Sequence, residues 1–388
     1  MKYYIIAGEA SGDLHGSNLI KALLEEDPDA NIHAWGGDMM EQAGATLRKH
    51  YRELAFMGFI EVVKNLKTIL SNISFCKKDI EAFQPDVIIF IDYPGFNLRI
   101  AKWAKSLNIK TFYYISPQIW AWHTSRVHGI KKTIDRMFCI LPFEKDFYKK
   151  YDYDVDYVGH PLLDVIDIVR PSNKFDGTNE RHPSNEFDGT SANVPSKSFD
   201  GNVAKTIVLM PGSRRQEIEK MLPIMLSVAP YFPDYQFIIA AASSHQLSYY
   251  QKFTKNTEGV KIIQNDTYSL LKNATAALVK SGTSTLETAL FDVPQVVCYK
   301  GSTISFAIAK QVIKVKYISL VNLIADKMIV KELIQSDLTT ENLVRELQQV
   351  IDNQDIIKKN YEILRGALGD SGASARTAKL MVGYLKNK

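Results

Sequence analysis

The sequence predicts an α/β fold built from two doubly wound domains with a helical C-terminal tail, and three observations carry that expectation. Short, nearly continuous apolar runs alternate with helical patterns through the first half, as strands covered on both faces of a parallel sheet require. The same alternation restarts at Lys205, after a polar interruption. At 388 residues the chain can bury two separate cores, and its 46% hydrophobic and 11% aromatic content is that of a globular protein.

The first strand opens the chain in YYIIAGEASGDLHG, Tyr3 to Gly16. This stretch is not GxGxxG, and no acid follows a second strand at the distance that would hold a ribose, so a dinucleotide site is disfavoured. Its glycines still let backbone approach a ligand, and Ser11 or Asp13 is placed to cap a helix starting near Leu14. Glu9, Ser11, Asp13 and His15 would then sit at the carboxyl end of the first strand, where open α/β sheets bind ligands. The plainer alternative makes Asp13 only a cap and His15 a surface residue. The helix SNLIKALLEE follows, with Leu19, Ile20, Leu23 and Leu24 on one face.

From Phe59 onward, Val62, Val63, Leu66, Ile69, Leu70 and Ile73 recur at helical spacing, with Lys64, Lys67, Lys77 and Lys78 among them. Such a helix either packs on the core or lays its apolar face on lipid with its lysines at anionic headgroups. The run DVIIFID ends in Asp92, and Tyr93-Pro94-Gly95 turns the chain into a helix. An acid at that strand end, partly shielded by Tyr93 and Phe96, suits a general base, with turn-capping as the alternative. KTFYYIS and RMFCILP are further strands, and ISPQIWAWHTSRVHGIKK places two tryptophans beside Arg126, Lys131 and Lys132.

Between the halves, Pro171 to Val203 repeats Phe-Asp-Gly three times in a Ser/Asn/Pro background, which reads as a flexible inserted loop. The expected division is therefore 1–170, a linker at 171–203, and 204–388. KTIVLM then leads into Pro211-Gly212-Ser213-Arg214-Arg215, where free amides at a helix start, a hydroxyl and a guanidinium make an anion site. YQFIIAA, VKIIQ, ATAALVKSG and PQVVCY are the remaining strands. The turn Ser281-Gly282-Thr283-Ser284-Thr285 opens a helix carrying Glu287. It suits a diphosphate, with Glu287 accepting both hydroxyls of a ribose, although a capping box would also place an acid there. After about Lys327 the pattern reads as helical to the end.

Cys76, Cys139 and Cys298 lie far apart, which argues against a disulfide framework or a zinc site. No DxD triplet offers to hold a metal, so neither metal nor cofactor is expected. The first residues read directly as a strand with no signal-peptide pattern, and no run is apolar for long enough to span a membrane. A net charge of +4 permits an anionic substrate or membrane surface without demanding nucleic acid.

GEASGD, MGFIEV, PDVIIFIDYPGFN, YYISPQIWAW, LPFEKDFY, VGHPL, LMPGSR, SGTSTLE and YISLVNLIADKMIVKELIQ, in this order, resemble the lipid-A-disaccharide synthase family over essentially the whole chain. The resemblance implies two Rossmann-like domains facing a cleft, the GT-B architecture, and inverting transfer from UDP-2,3-diacylglucosamine to 2,3-diacylglucosamine 1-phosphate (lipid X). The expected products are a β-1,6-linked disaccharide phosphate and UDP. It implies a cytoplasmic enzyme at the inner-membrane surface and leaves a homodimer open. It makes Asp92 the base, carries Arg214 and Asn322 over as donor-side or catalytic positions, and fits Glu287 to the ribose. The Phe-Asp-Gly insertion departs from the family pattern. Other readings stay open on the residues alone: another UDP-sugar enzyme of the same architecture, such as a peptidoglycan N-acetylglucosaminyltransferase or a 2-epimerase, or a non-catalytic binder of nucleotide sugar or lipid.

Overall fold

A computed structural model describes residues 1–54, 66–169, 205–242, 244–255, 257–301 and 315–386. The polar repeat, Val62 and Val63 lie outside those residues. Two compact units divide the chain: Met1–Ile166 with Ser302–Met328 and Glu362–Lys388, and Asp167–Gly301 with Ile329–Tyr361. Each is described by itself.

The first unit is built on seven parallel strands: β1 (Lys2–Ala7), β2 (Asn31–Gly36), β3 (Thr46–His50), β4 (Val87–Ile91), β5 (Lys110–Tyr114), β6 (Arg136–Cys139) and β7 (Asp156–Tyr157). They run in the order β3-β2-β1-β4-β5-β6-β7. β1 and β4 are buried almost throughout, as their unbroken apolar sequences require. Between them the strand order reverses, with Tyr3 opposite Val87 and Ala7 opposite Ile91. The loops leaving the carboxyl ends of β1 and β4 therefore flank the topological switch point.

The second unit carries β8 (Thr206–Met210), β9 (Gln236–Ala241), β10 (Lys261–Gln264), β11 (Ala276–Lys280), β12 (Gln295–Tyr299) and β13 (Lys331–Ile334), again all parallel. Their order is β10-β9-β8-β11-β12-β13. This switch point lies between β8 and β11, so the loops beginning at Pro211 and Ser281 flank it.

Two features depart from the sequence reading. Lys331–Ile334 is an edge strand rather than the start of a helical tail; four residues with only Leu333 buried are too short to stand out by periodicity. The last helix, Ala373–Lys386, belongs to the first unit and packs along the helix Ala10–Glu26. Asp164 fixes it there: its carboxylate accepts the amides of Gly372, Ala373 and Ser374 at 2.6, 3.0 and 2.9 Å, capping that helix from the other half of the unit. No helix among the described residues is long and apolar enough to cross a membrane.

Candidate active site

In the second unit a cavity of about 610 Å³ opens at the switch point. Of the residues expected there, Ser213, Gly282, Thr283, Ser284 and Glu287 line it together. Gly212 makes the first loop possible. Its φ is +103°, and a Cβ on it would lie 2.6 Å from Glu217 Oε2. Glu217 uses that space to accept the Arg214 amide at 3.4 Å and to pair with Lys280 Nζ at 2.9 Å. On the other side of the switch point the helix Thr283–Leu290 begins at the cavity, which Thr283 and Ser284 line with amides that precede the helix's own hydrogen-bond ladder. The carboxylate of Glu287, one turn in, makes no hydrogen bond among the described residues, and burial pushes its pKa up to about 7. Hydroxyls, open amides, a lysine and a half-buried carboxylate that lacks a donor are the groups whose chemistry matches a nucleoside diphosphate.

Three expected members are placed otherwise. Thr285 is buried, and its hydroxyl closes the turn onto the Gly282 carbonyl at 2.7 Å. Ser281 is buried with its amide bonded to the Cys298 carbonyl. Arg214 stands outside the cavity lining as the residue preceding the helix Arg215–Leu226, with its guanidinium 58% exposed and 3.9 Å from Glu217. Conversely, Lys280 and the turn Asn265–Ser269 line the cavity without having been singled out. Lys280 had a usable signal as the last residue of a buried strand directly before SGTST. The turn after β10 had none.

In the first unit, Asp92 and Tyr93 both adopt left-handed backbone, with φ of +45° and +50°, and Ile115 at the end of the adjacent strand has φ +65°. A tyrosine and a β-branched isoleucine in that region are outliers, and such strain concentrates at functional sites. The turn is clamped through its main chain. The Asp92 carbonyl accepts from Tyr113 Oη at 2.5 Å and from Asn97 Nδ2 at 2.7 Å. The Asp92 amide donates to the Tyr114 carbonyl at 3.3 Å. Asp92 itself is half-buried.

The opening loop is shorter than the sequence suggested, because the helix starts at Ala10 rather than near Leu14, with Glu9 at its N-cap. Glu9 remains at the loop, and exposed Ser11 sits next to it in the first turn of the helix. Asp13 and His15 do not remain there. Asp13 is buried, and its carboxylate accepts the amides of Gly37, Met40 and Met39 at 2.8, 3.1 and 3.3 Å, tying the second βα loop to the first helix. His15 is enclosed; burial pushes it down to about 4, so it is neutral at pH 7. Asn322, expected on the donor side, is fully buried in the helix Leu320–Ala325 and groups with the first unit. Its amide donates to Ser319 Oγ at 3.3 Å.

The helix Leu66–Phe83 splits the residues expected to meet lipid. Ile73 packs against the core, together with buried Cys76, Ile80 and Phe83. Leu70 is 55% exposed and Phe75, not foreseen, 44%. Ile69 is half-buried, beside exposed Lys67.

Residues 3–378 match the family model described as lipid-A-disaccharide synthetase. Two similar relatives, both called lipid-A-disaccharide synthase, come from Syntrophus aciditrophicus and Coxiella burnetii. The first is 36% identical over 391 residues, covering 98% of this chain and 97% of the relative; the second is 36% identical over 386 residues, covering 97% and 96%. Among solved structures, the UDP-GlcNAc 2-epimerase from Neisseria meningitidis bound to UDP-GlcNAc superposes with a TM-score of 0.65 at 15% identity, covering both chains fully. The glycotransferase of kitacinnamycin does so at 0.61 and 13%, covering 99% of each chain. These two share the fold. Family-model and sequence matches over nearly the whole length place the chain in the lipid-A-disaccharide synthase family.

Proposed function

We propose that the chain transfers the 2,3-diacylglucosaminyl group of its UDP derivative to the 6-hydroxyl of 2,3-diacylglucosamine 1-phosphate, with inversion at the anomeric carbon. The observation that carries this reading is the cavity at the second switch point, where an undonated carboxylate, Glu287, stands one turn beyond open helix amides and Lys280. Ribose hydroxyls supply the missing donors to Glu287. The diphosphate takes the amides of Thr283 and Ser284, the Ser213 hydroxyl and the Lys280 ammonium. Arg214, exposed at the rim, adds a cation that neutralises the leaving group.

Asp92 accepts the proton of the acceptor 6-hydroxyl. The oxygen then forms its bond to the anomeric carbon as the bond to the diphosphate oxygen breaks, and that electron pair leaves with UDP. The strained turn presents Asp92 at the end of β4 in fixed orientation, which is what a base needs for a near-attack geometry. Asn322, buried and bonded within its own helix, is a positioning residue in this scheme. Exposed Leu70 and Phe75, next to Lys67 and Lys78, suit peripheral contact with the bilayer that holds both acylated substrates.

Incubation with both substrates should release UDP and a disaccharide phosphate, read by mass spectrometry. Asp92→Asn should lower kcat roughly 10²–10⁴-fold with UDP affinity nearly intact. Ordinary turnover by that variant removes Asp92 from the role.

A further inference from the structure

In the second unit the carbonyl of Ser213 is held from a neighbouring loop. His245 Nε2 lies 2.9 Å from that oxygen and Ser244 Oγ lies 3.2 Å from it. A carbonyl oxygen only accepts, so His245 donates from Nε2. Both donors stand between β9 and the helix Leu247–Thr254. Gln264, the last residue of β10, holds their loop in turn. Its Nε2 donates to the Ala242 carbonyl at 2.9 Å and to the His245 carbonyl at 2.7 Å. The Ala242 amide donates to the buried Tyr250 Oη at 3.0 Å. Neither His245 nor Gln264 lines the cavity at the switch point, but Ser213, Ala242 and Asn265, the residue after Gln264, all do.

We propose that His245 and Gln264 are positioning residues for the donor diphosphate, acting on it through the Ser213 main chain. The inference rests on the reading above, which gives the Ser213 hydroxyl to the diphosphate. A trans peptide group is planar, and its C=O and N–H point in opposite directions. In the peptide between Ser213 and Arg214, His245 and Ser244 hold the carbonyl, while Glu217 Oε2 accepts the Arg214 amide at 3.4 Å. Glu217 Oε1 is itself fixed by Lys280 Nζ at 2.9 Å. The plane is therefore pinned at both ends. With it are set the directions in which the Ser213 hydroxyl and the Arg214 side chain leave the backbone. Gly212, at φ +103°, is the residue of this turn with the most conformational freedom, so the restraint has to come from outside it. Without that restraint the same phosphate-binding groups spread over several orientations, and ordering them becomes a cost of binding.

The test is titration calorimetry of UDP with the full chain, with steady-state kinetics in both substrates and thermal melts alongside. Ser244→Ala with His245→Ala should weaken UDP binding about tenfold and raise the donor KM by a similar factor, leaving the acceptor KM within about twofold of the parent. His245→Gln, whose amide nitrogen has a similar reach, should bind UDP within about twofold of the parent, where His245→Ala does not. Gln264→Leu, remote from the cavity, should reproduce the loss; if that variant does not fold, the surface pair Ser244 and His245 decides the matter. The proposal falls if the double variant binds UDP as tightly as the parent, or if His245→Gln is as weak as His245→Ala. It falls equally if donor and acceptor KM rise together, which would mark the loop as ordinary scaffold. Should UDP binding follow the expected pattern in a chain that forms no disaccharide, the transfer reading falls while the positioning role stands.

Discussion

Glu287 is the residue where binding and stability pull in opposite directions. Burial raises its carboxyl from 4.5 to about 7. An acid whose folded pKa exceeds its unfolded one binds protons more tightly when folded. The folded state is therefore favoured at low pH and loses that advantage as pH rises from about 4.5 to about 7. At about 1.4 kcal/mol per pH unit the displacement amounts to about 3 kcal/mol at pH 8. The carboxylate lines an open cavity that admits water, which reduces this to about 1.5–2 kcal/mol. Glu287→Gln keeps the shape and removes the charge. It should raise the melting temperature by roughly 3–8 °C at pH 8 and by much less at pH 5. It should also weaken UDP binding about 10- to 100-fold, since two hydrogen bonds to a charged acceptor are lost. In the unsubstituted chain, UDP affinity should fall as pH drops below about 7. Thermal melts at pH 5 and 8 with UDP titrations decide the matter: a variant that melts no higher at pH 8 and binds UDP as well as its parent refutes the reasoning.

Asp13→Asn should destabilise the chain by about 2–4 kcal/mol in urea unfolding, because one amide oxygen cannot serve three backbone donors, while leaving UDP affinity alone. Stability equal to the parent would contradict the capping role. Leu70→Glu should cut flotation with anionic liposomes without lowering the melting temperature, since Leu70 is 55% exposed, whereas the Phe75 ring also packs against Trp35 with centroids 5.9 Å apart. Unchanged flotation assigns that face to ordinary surface.

The strands that the sequence announced were β1, β4, β5, β6 and β8 to β12, all but the half-buried β10 covered on both faces, because an unbroken apolar run has few other readings. β2, β3, β7 and β13 were missed: NIHAWG carries a histidine mid-strand, TLRKH is mostly polar, β7 is two residues long, and KELI is four residues long at an edge. Strand order was invisible as well, since it depends on pairings between distant segments. Yet strand order alone explains why four separate turns matter in pairs. Within the turns, sequence located the right loops and misjudged individual side chains. Asp13 and Thr285 are as polar as Glu287 and Ser213, but their side chains are bonded to backbone groups, which spacing does not reveal. Lys280 was passed over for the opposite reason: it reads as a strand end, and only its pairing with Glu217 turns it toward the cavity.

The glycine of the opening loop finds its explanation outside that loop. A Cβ on Gly8 would lie 2.4 Å from the Tyr93 ring, so the ring occupies the space that any other residue would fill. Tyr93 in turn stacks on Phe96 with ring centroids 5.7 Å apart, and Phe96 packs against Trp35 at 5.4 Å. Left-handed backbone at a tyrosine costs on the order of 1–3 kcal/mol and persists only where its surroundings over-determine it. The ring's seat on Gly8, together with the Tyr113 and Asn97 hydrogen bonds to the Asp92 carbonyl, supplies that determination. The missing side chain at position 8 is thus a condition for the orientation of Asp92, two strands of the switch point acting as one device. That is why a loop resembling a phosphate-binding turn carries no phosphate-binding pattern: its glycine makes room for an aromatic ring, and the ring holds the turn at Asp92.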